Sequence, residues 1–502
     1  MRAPAGVVPL VALFAACTVY VAAFPNHLGD SDEPLILYEA KRLLDGEVMY
    51  RDVFEIITPG SQYLFAGLFA LFGATLTTAR LAMALVHAAI ATLIAIACRR
   101  CDVRWPLAIA AAVAHLALGQ PVWPYASPHW LSTLLTMLAL VLALGRPWAA
   151  GGRGGLALGA VLGGLAMVQQ QKAALLLPAV VLAMLADRLV DRRYPPPAPH
   201  PSLPAQLAAV LAGVMLVAAP VMAAIVALAG VGPVFDALIR HPLTSYPALH
   251  AASARWGSVS IFSLPLAWYT RPALLRWQPL VMLGVGLRVA ALCWRRAGEA
   301  EVRRLLILLW VAGGATASIM YFPDFIHLAF IAPLFVVGLA ALLEVGVRRL
   351  PRLLAPVVCA ALLLALSVQA TRNLRRAHAT HTVRAETRFG RLDLRNRQLL
   401  DAAAEMDRLL PPGAPREVFC YPECPALYLL AGADNPTPYQ KLLTGYNSPE
   451  VVQAALDTVE RRRPPLAFGF FAVDTDPVTQ YVLAHYTRVG TSLFYTRNPD
   501  AN

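Results

Sequence analysis

The chain is 502 residues long, 58% hydrophobic and only 14% charged, with a mean hydropathy of +0.57 and a formal charge of +12. A soluble fold needs more polar residues than this to cover its surface, so the composition excludes an ordinary globular enzyme and specifies an integral membrane protein. Nucleic acid is not needed to explain the charge. Only three of the 42 basic residues are lysines, and the arginines fall in short clusters between apolar runs, as the positive-inside rule arranges them.

The first apolar run, 7–24, follows Arg2 and lacks a clear small-residue cleavage site, so it is expected to stay as a first span leading out of the cytoplasm. Residues 26–75 then make an outer loop, with helical stretches at 33–45 and 61–72 suited to the membrane surface. Runs at 76–98, 105–119, 128–145, 155–169, 172–187, 205–230, 279–294, 304–319, 328–346 and 353–370 bring the expected total to about eleven spans. The turns assigned to the cytoplasm carry arginines: Arg99, Arg100 and Arg104, then Arg146 and Arg153, Arg188, Arg192 and Arg193, "RRAGEAEVRR" at 295–304, and Arg348, Arg349 and Arg352. The outer turns carry Asp, His, Gln and Tyr instead. Arg372, Arg375 and Arg376, just beyond the last span, are the exception. An apolar piece at 257–269 reads as re-entrant or surface-bound.

These runs define a membrane domain, 1–370, and a polar tail, 371–502. The tail is expected to hold a helix at 380–409, a proline-rich break at 411–415, strand-like "EVFCY", a helix at 449–462 and strand-like "LAFGFFAV". That alternation predicts a small outward-facing α/β domain on an otherwise all-α polytopic membrane protein. Cys420 and Cys424 form a C-x3-C pair without further ligands for zinc, which leaves a disulfide if the tail faces an oxidising compartment. "DTD" at 474–476 precedes a proline and reads as a turn rather than a metal motif. The expected location is a bacterial inner membrane, with the N-terminus cytoplasmic and the tail outside.

The chemistry-bearing residues gather on the outer side. "LGDSDEPL", 28–35, places Asp30, Asp32 and Glu33 just beyond the first span. Acids at a membrane–water boundary are suited to general-base work, and the same residues also make a good start for the helix at 33–45. Asp30, Asp32 and Asp52 offer a place for a divalent cation; no cofactor is otherwise called for. "YRDVFEIITPG" adds Tyr50, Arg51, Asp52 and Glu55. Lys172 sits at the outer turn of a short apolar pair, where a cation suits a phosphate or snorkels to headgroups. Arg80 and Arg255 are further candidates for the anion, and Asp324 and His327 flank the "FPDFIH" turn. No Walker loop or glycine-rich nucleotide fingerprint follows a strand.

Taken in order, these motifs resemble the GT-C superfamily of membrane glycosyltransferases, in particular the protein O-mannosyltransferase and lipid A aminoarabinose transferase group, glycosyltransferase family 39-like. The resemblance rests on Asp32, Glu33, Tyr38 and Gly46 in the first outer loop, then Tyr50, Pro59, Phe72 and Gly73, with Arg80 at the second span. It continues through "GLAMVQQQKAALLLP", which matches Lys172 to a lysine at an outer turn, and "FPDFIHLAFIAP". It covers most of residues 1–350. One departure stands out: a single proline, Pro59, without a lysine, where the aminoarabinose group has Lys-Pro-Pro.

The resemblance implies a polyprenyl-phosphate-linked sugar as donor, and transfer at the outer face with inversion to a hydroxyl of a lipid, glycan or protein. It implies membrane lipids as surroundings and no nucleic acid. Asp32 is then the first choice of base and Asp30 the second, with Glu33 as their neighbour. Lys172, Arg80, Arg255 and His327 would meet the donor phosphate, and Tyr38, Tyr50, Asp52 and Asp324 would position substrates. A polyprenyl-linked glycan polymerase and a lipid or sugar transporter are the alternatives. A transporter should place ionisable groups at span centres, often in an internal repeat, and the sequence has neither clearly.

Overall fold

The computed structural model describes residues 6–29, 32–149, 152–194, 201–244, 276–320, 324–443, 447–471 and 475–499. The expectations for Asp30, Arg255 and the piece at 257–269 therefore lie outside the described residues.

The apolar runs become helices close to where hydropathy places them. They are α1 (Val7–Ala22), α2 (Asp32–Leu44), α3 (Gly60–Phe72), α4 (Leu76–Arg100), α5 (Trp105–Ala114), α6 (Pro128–Leu144), α7 (Gly152–Val168), α8 (Gln170–Arg193) and α9 (Leu203–Ala229). Two short helices follow, α10 (Val231–Phe235) and α11 (His241–Thr244), then α12 (Gln278–Trp294), α13 (Glu299–Ala317), α14 (Phe325–Val347) and α15 (Leu354–Thr380). Six described helices are long and apolar enough to cross a membrane: α4, the run 105–122 that begins with α5, α8, α9, α14 and α15. Val7–Ala22, Gly60–Phe72, Pro128–Leu144, Gly152–Val168 and Gln278–Trp294 are apolar but shorter.

Ion pairs gather the arginine-rich helix ends at one side of the bundle. Asp187 on α8 receives Arg303 of α13 at 2.8 Å and Arg146 at 2.9 Å. Glu344 of α14 bridges Arg104 and Arg348, and Asp102 pairs with Arg304. The clusters that the sequence assigns to one membrane face thus meet in one layer. Helix contact within the bundle uses small residues. α7 and α9 cross backbone to backbone, because a Cβ on Gly159 would lie 2.0 Å from the Val210 carbonyl oxygen, and one on Gly213 would lie 2.2 Å from that of Leu156.

The tail corrects one expectation. Residues 380–409 are not a single helix: α15 ends at Thr380, and β1 (Val383–Thr387) and β2 (Gly390–Leu394) form an antiparallel hairpin before α16 (Gln398–Leu409). Gly390 takes a positive φ of 85° where the chain reverses, and Leu392 and Leu394 alternate inward with period two. Beyond it, β3 (Val418–Tyr421), α17 (Pro425–Ala431), α18 (Pro449–Arg462), β4 (Leu466–Gly469), α19 (Pro477–His485), β5 (Tyr486–Arg488) and β6 (Phe494–Arg497) complete the α/β unit. Its sheet has the order β3-β4-β6-β5, with β3 and β4 parallel and the other pairs antiparallel. Cys420 and Cys424 are joined in a disulfide. Asp476 caps α19 through the Thr479 N–H, as a turn residue would.

The tail does not hang free. The Tyr38 hydroxyl of α2 accepts the Asn435 N–H at 2.8 Å, and its ring stacks on Tyr428 at 4.7 Å. Arg42 donates to the Thr437 carbonyl at 3.0 Å, and the Phe54 N–H to that of Pro438 at 2.9 Å. The loop at 26–75 and the tail are therefore stitched together by backbone and side chain.

Candidate active site

The acidic stretch separates into two roles at the first turn of α2. Successive residues of a helix point about 100° apart, so Asp32 and Glu33 face different surroundings. Asp32 is exposed, whereas Glu33 is fully buried. The Glu33 carboxylate takes both guanidinium arms of Arg80, the Gly29 N–H at 2.8 Å and the Ala126 N–H at 2.6 Å. Arg80 also donates to the His27 carbonyl, and its charge stands 5.9 Å from the centre of the Tyr125 ring. The expectations for these two residues are corrected accordingly. Glu33 has no lone pair left for proton transfer and Arg80 is committed to it, so together they fix the loop that presents Asp32.

A second carboxyl faces Asp32. Glu55 is partly exposed, and its Oε1 accepts the Ile56 N–H at 2.6 Å and the Ile57 N–H at 3.3 Å. Burial pushes its carboxyl up to about 7 against the lowering pull of those two N–H groups, and the Asp32 charge adds to the rise. Behind it lies Glu39, 1% exposed, which accepts the Gln62 amide at 3.0 Å. Burial, then the nearby Glu55 charge, holds the Glu39 carboxyl well above the usual range. Glu39 and Glu55 form a carboxyl pair that shares protons, with Glu55 as its outer member. Glu39 escapes sequence reading because its position on α2 looks like an ordinary polar helix site.

The third part lies across the loop. Gln170, at the start of α8, donates to the Ile56 carbonyl at 2.8 Å and accepts the Thr58 N–H at 3.0 Å, so the Glu55 segment is pinned to the N-terminal end of α8. The neighbouring Gln169 joins His129 Nδ1 at 3.0 Å and accepts from the Ser132 hydroxyl at 2.7 Å. Ser132 in turn receives the Lys172 ammonium at 2.7 Å. Lys172 is 5% exposed and lies 5.9 Å from the Phe330 ring centre. Among the described residues it pairs with no carboxylate, whereas the buried Arg303 pairs with Asp187 and Glu299. His327 packs edge-on against His129, 4.9 Å between centres. His129 was not singled out from the sequence; its position at the first turn after "SP" was the available signal.

Four expected positioning residues are engaged within the fold. Tyr38 is covered by the tail and has no surface to offer a substrate. Tyr50 is 4% exposed, sits at a positive φ of 69°, and donates its hydroxyl to the Ile57 carbonyl at 2.7 Å, bracing the loop. Asp52 caps its own turn through the Val48 N–H at 2.8 Å and pairs with Arg51. Asp324 caps α14 through the His327 N–H at 2.7 Å and orients the His327 ring, also at 2.7 Å. Among the described residues no three His, Cys, Asp or Glu side chains converge as a metal site; Asp30, the third member of the expected cation trio, lies outside them.

An apolar groove of 330 Å³ runs down the bundle between α5, α12, α14 and α15, lined by residues such as Leu107, Val281, Phe335 and Leu362. Gln278, whose amide donates at 2.8 Å to the carbonyl of Leu328, the residue after His327, stands on its wall.

No protein-family model matches the chain, and no curated protein sequence matches it significantly. Solved structures do. ArnT from Cupriavidus metallidurans bound to undecaprenyl phosphate superposes with a TM-score of 0.57 at 14% identity, over 100% of this chain and 99% of that one. The apo state of the same ArnT gives 0.55 at 16% identity, over 91% and 88%. The chain shares the fold of that ArnT. The likeness runs through the tail as well as the helices. A weaker one, 0.47 at 13% identity, relates 98% of this chain to 40% of the arabinofuranosyltransferase AftD from Mycobacteria.

Proposed function

We propose that the protein is a polyprenyl-phosphate-sugar-dependent glycosyltransferase, moving a hexosyl or pentosyl group to a hydroxyl of a lipid, glycan or protein with inversion. It works at the outer face of a bacterial inner membrane, with the N-terminus cytoplasmic and the tail outside. The observation that carries the reading is the contrast at α2: Glu33 is locked to Arg80, and that lock presents Asp32 as an exposed carboxylate beside Glu55. The GT-C fold, and undecaprenyl phosphate bound to the ArnT it resembles, support the donor class. The apolar groove supplies a surface of the right chemistry for an isoprenoid chain.

In this scheme the Asp32 carboxylate takes the proton of the acceptor hydroxyl as its oxygen attacks the anomeric carbon. The bond from that carbon to the phosphate oxygen breaks, and polyprenyl phosphate leaves with the electron pair. Glu55, protonated near neutrality, donates a hydrogen bond to the acceptor or sugar. Lys172, a cation without a carboxylate partner, opposes the charge that grows on the phosphate, with His327 beside it. The pinned loop holds the two substrates in register.

The test is Asp32→Asn in purified, detergent-solubilised protein, following release of polyprenyl phosphate from a panel of radiolabelled polyprenyl-phosphate sugars with lipids and glycans as acceptors. Turnover should fall by about a hundredfold or more with folding and donor binding kept. Unchanged turnover would remove Asp32 as the base. Donor left intact by the wild type, with lipid movement detected in vesicles, would replace transfer by transport.

A further inference from the structure

The three arginines that break the positive-inside pattern lie less than two turns before His378, which lines a basic pocket. Arg372, Arg375 and Arg376 are exposed on the last turns of α15. From 372 to 397 the sequence carries eight arginines against Glu386 and Asp393 alone. The hairpin β1–β2 and the ends of α1 and α15 border an open pocket of about 430 Å³, lined by Asn26, His378, His381, Thr382, Arg384 and Arg391 among others. Asp393 is the carboxylate on its wall. It is engaged by the Asn26 N–H at 2.9 Å and by Arg384 at 3.7 Å. Among the described residues, Arg372, Arg375, Arg376 and Arg391 have no carboxylate partner.

The position narrows the ligand. The Tyr20 hydroxyl donates to the Ala370 carbonyl at 2.9 Å, and His378 Nε2 lies 2.8 Å from the Ala23 carbonyl, so α1 and α15 end together at the pocket floor. Directly below, Val19 of α1 and Leu364 and Val368 of α15 are exposed apolar side chains. A cluster of cations above a bare apolar face is complementary to a molecule with an anionic head and hydrocarbon tails. We infer that the pocket between the hairpin and the ends of α1 and α15 binds the phosphate headgroup of a net-anionic membrane lipid, whose chains lie along those two helices. The bound headgroup compensates charges that the sequence places on the side where arginines are scarce. The pocket is also braced to the active loop: His381 stacks on His27 at 4.1 Å, and the His27 carbonyl accepts from Arg80.

The inference does not depend on the transferase reading, and neither does its test. Delipidated protein in detergent is titrated with phosphatidylglycerol, phosphatidylcholine or inorganic phosphate, and bound lipid is counted by native mass spectrometry. Wild type should retain phosphatidylglycerol over phosphatidylcholine, and the pair Arg384→Gln/Arg391→Gln should weaken that retention about tenfold or more. Arg461→Gln/Arg463→Gln, on the far side of the tail, should leave it unchanged. If the first pair fails to fold, Arg372→Gln/Arg375→Gln/Arg376→Gln repeats the test on exposed residues whose loss breaks no ion pair. Equal retention by wild type and folded variants would overturn the inference. Displacement of the lipid by millimolar inorganic phosphate would overturn it too, leaving a site for a free anion.

Discussion

Two buried carboxyls less than two turns apart on α2 live by opposite rules. Glu33 faces Arg80 and two backbone N–H groups, and its charge is fully answered. Glu39 faces a neutral amide and another carboxyl, and keeps its proton instead. The same contrast recurs among the cations: Arg303 lies among carboxylates, whereas Lys172 lies against a hydroxyl and an aromatic ring. Satisfied charges at Glu33, Arg80 and Arg303 hold the fold. Unanswered ones at Lys172 and in the Glu39–Glu55 pair are available to something that arrives.

Breaking the satisfied pair should have the largest effect on stability. Arg80→Leu strands a buried carboxylate and should cost about 3–5 kcal/mol, read as a lower unfolding midpoint in detergent; the pair replacement Arg80→Leu/Glu33→Leu should recover part of that loss. Lys172→Met should do the reverse. Removing a buried cation without a carboxylate partner should leave stability unchanged or improve it, while donor binding weakens about tenfold or more in an equilibrium titration with polyprenyl phosphate. A fall in stability matching that of Arg80→Leu would place Lys172 among the structural charges.

The carboxyl pair makes a pH prediction. In the folded chain Glu55 keeps its proton up to about 7, against 4.5 for an ordinary glutamate, so the folded state binds more protons between those values. Stability should therefore be greatest below 4.5 on this account and decline as pH rises through about 7. The unfolding midpoint of wild type should drop between pH 5.5 and 8, and Glu55→Gln should flatten that drop. Tyr38→Phe, the mildest change, leaves the buried Asn435 N–H without its acceptor and should cost about 1–3 kcal/mol. Faster proteolysis of the tail with the helices intact would register it.

Periodicity made the bundle legible. The helix expected at 449–462 runs from Pro449 to Arg462, and the run at 76–98 lies inside Leu76–Arg100. The hairpin was hidden because its strands are short, arginine-rich and lie directly between two helices, so their apolar alternation is weak. In the site, Asp32 could be picked out from the sequence but not told from Glu33. What separates them is Arg80, 47 positions away, and helix phase alone does not say which acid it will meet. The contact of Tyr38 with the tail was hidden for the same reason: its partner, Asn435, lies 397 positions on.

That last distance has a consequence for biosynthesis. The loop at 26–75 leaves the ribosome long before residues 433–437, on which Tyr38 and Arg42 close. A nascent chain that has already threaded its helices into the bilayer still has a loop whose far wall does not exist. The acid side of the protein is completed only after residues 433–437 have emerged, so a chain that stops short of them stays in the membrane with its loop unbraced.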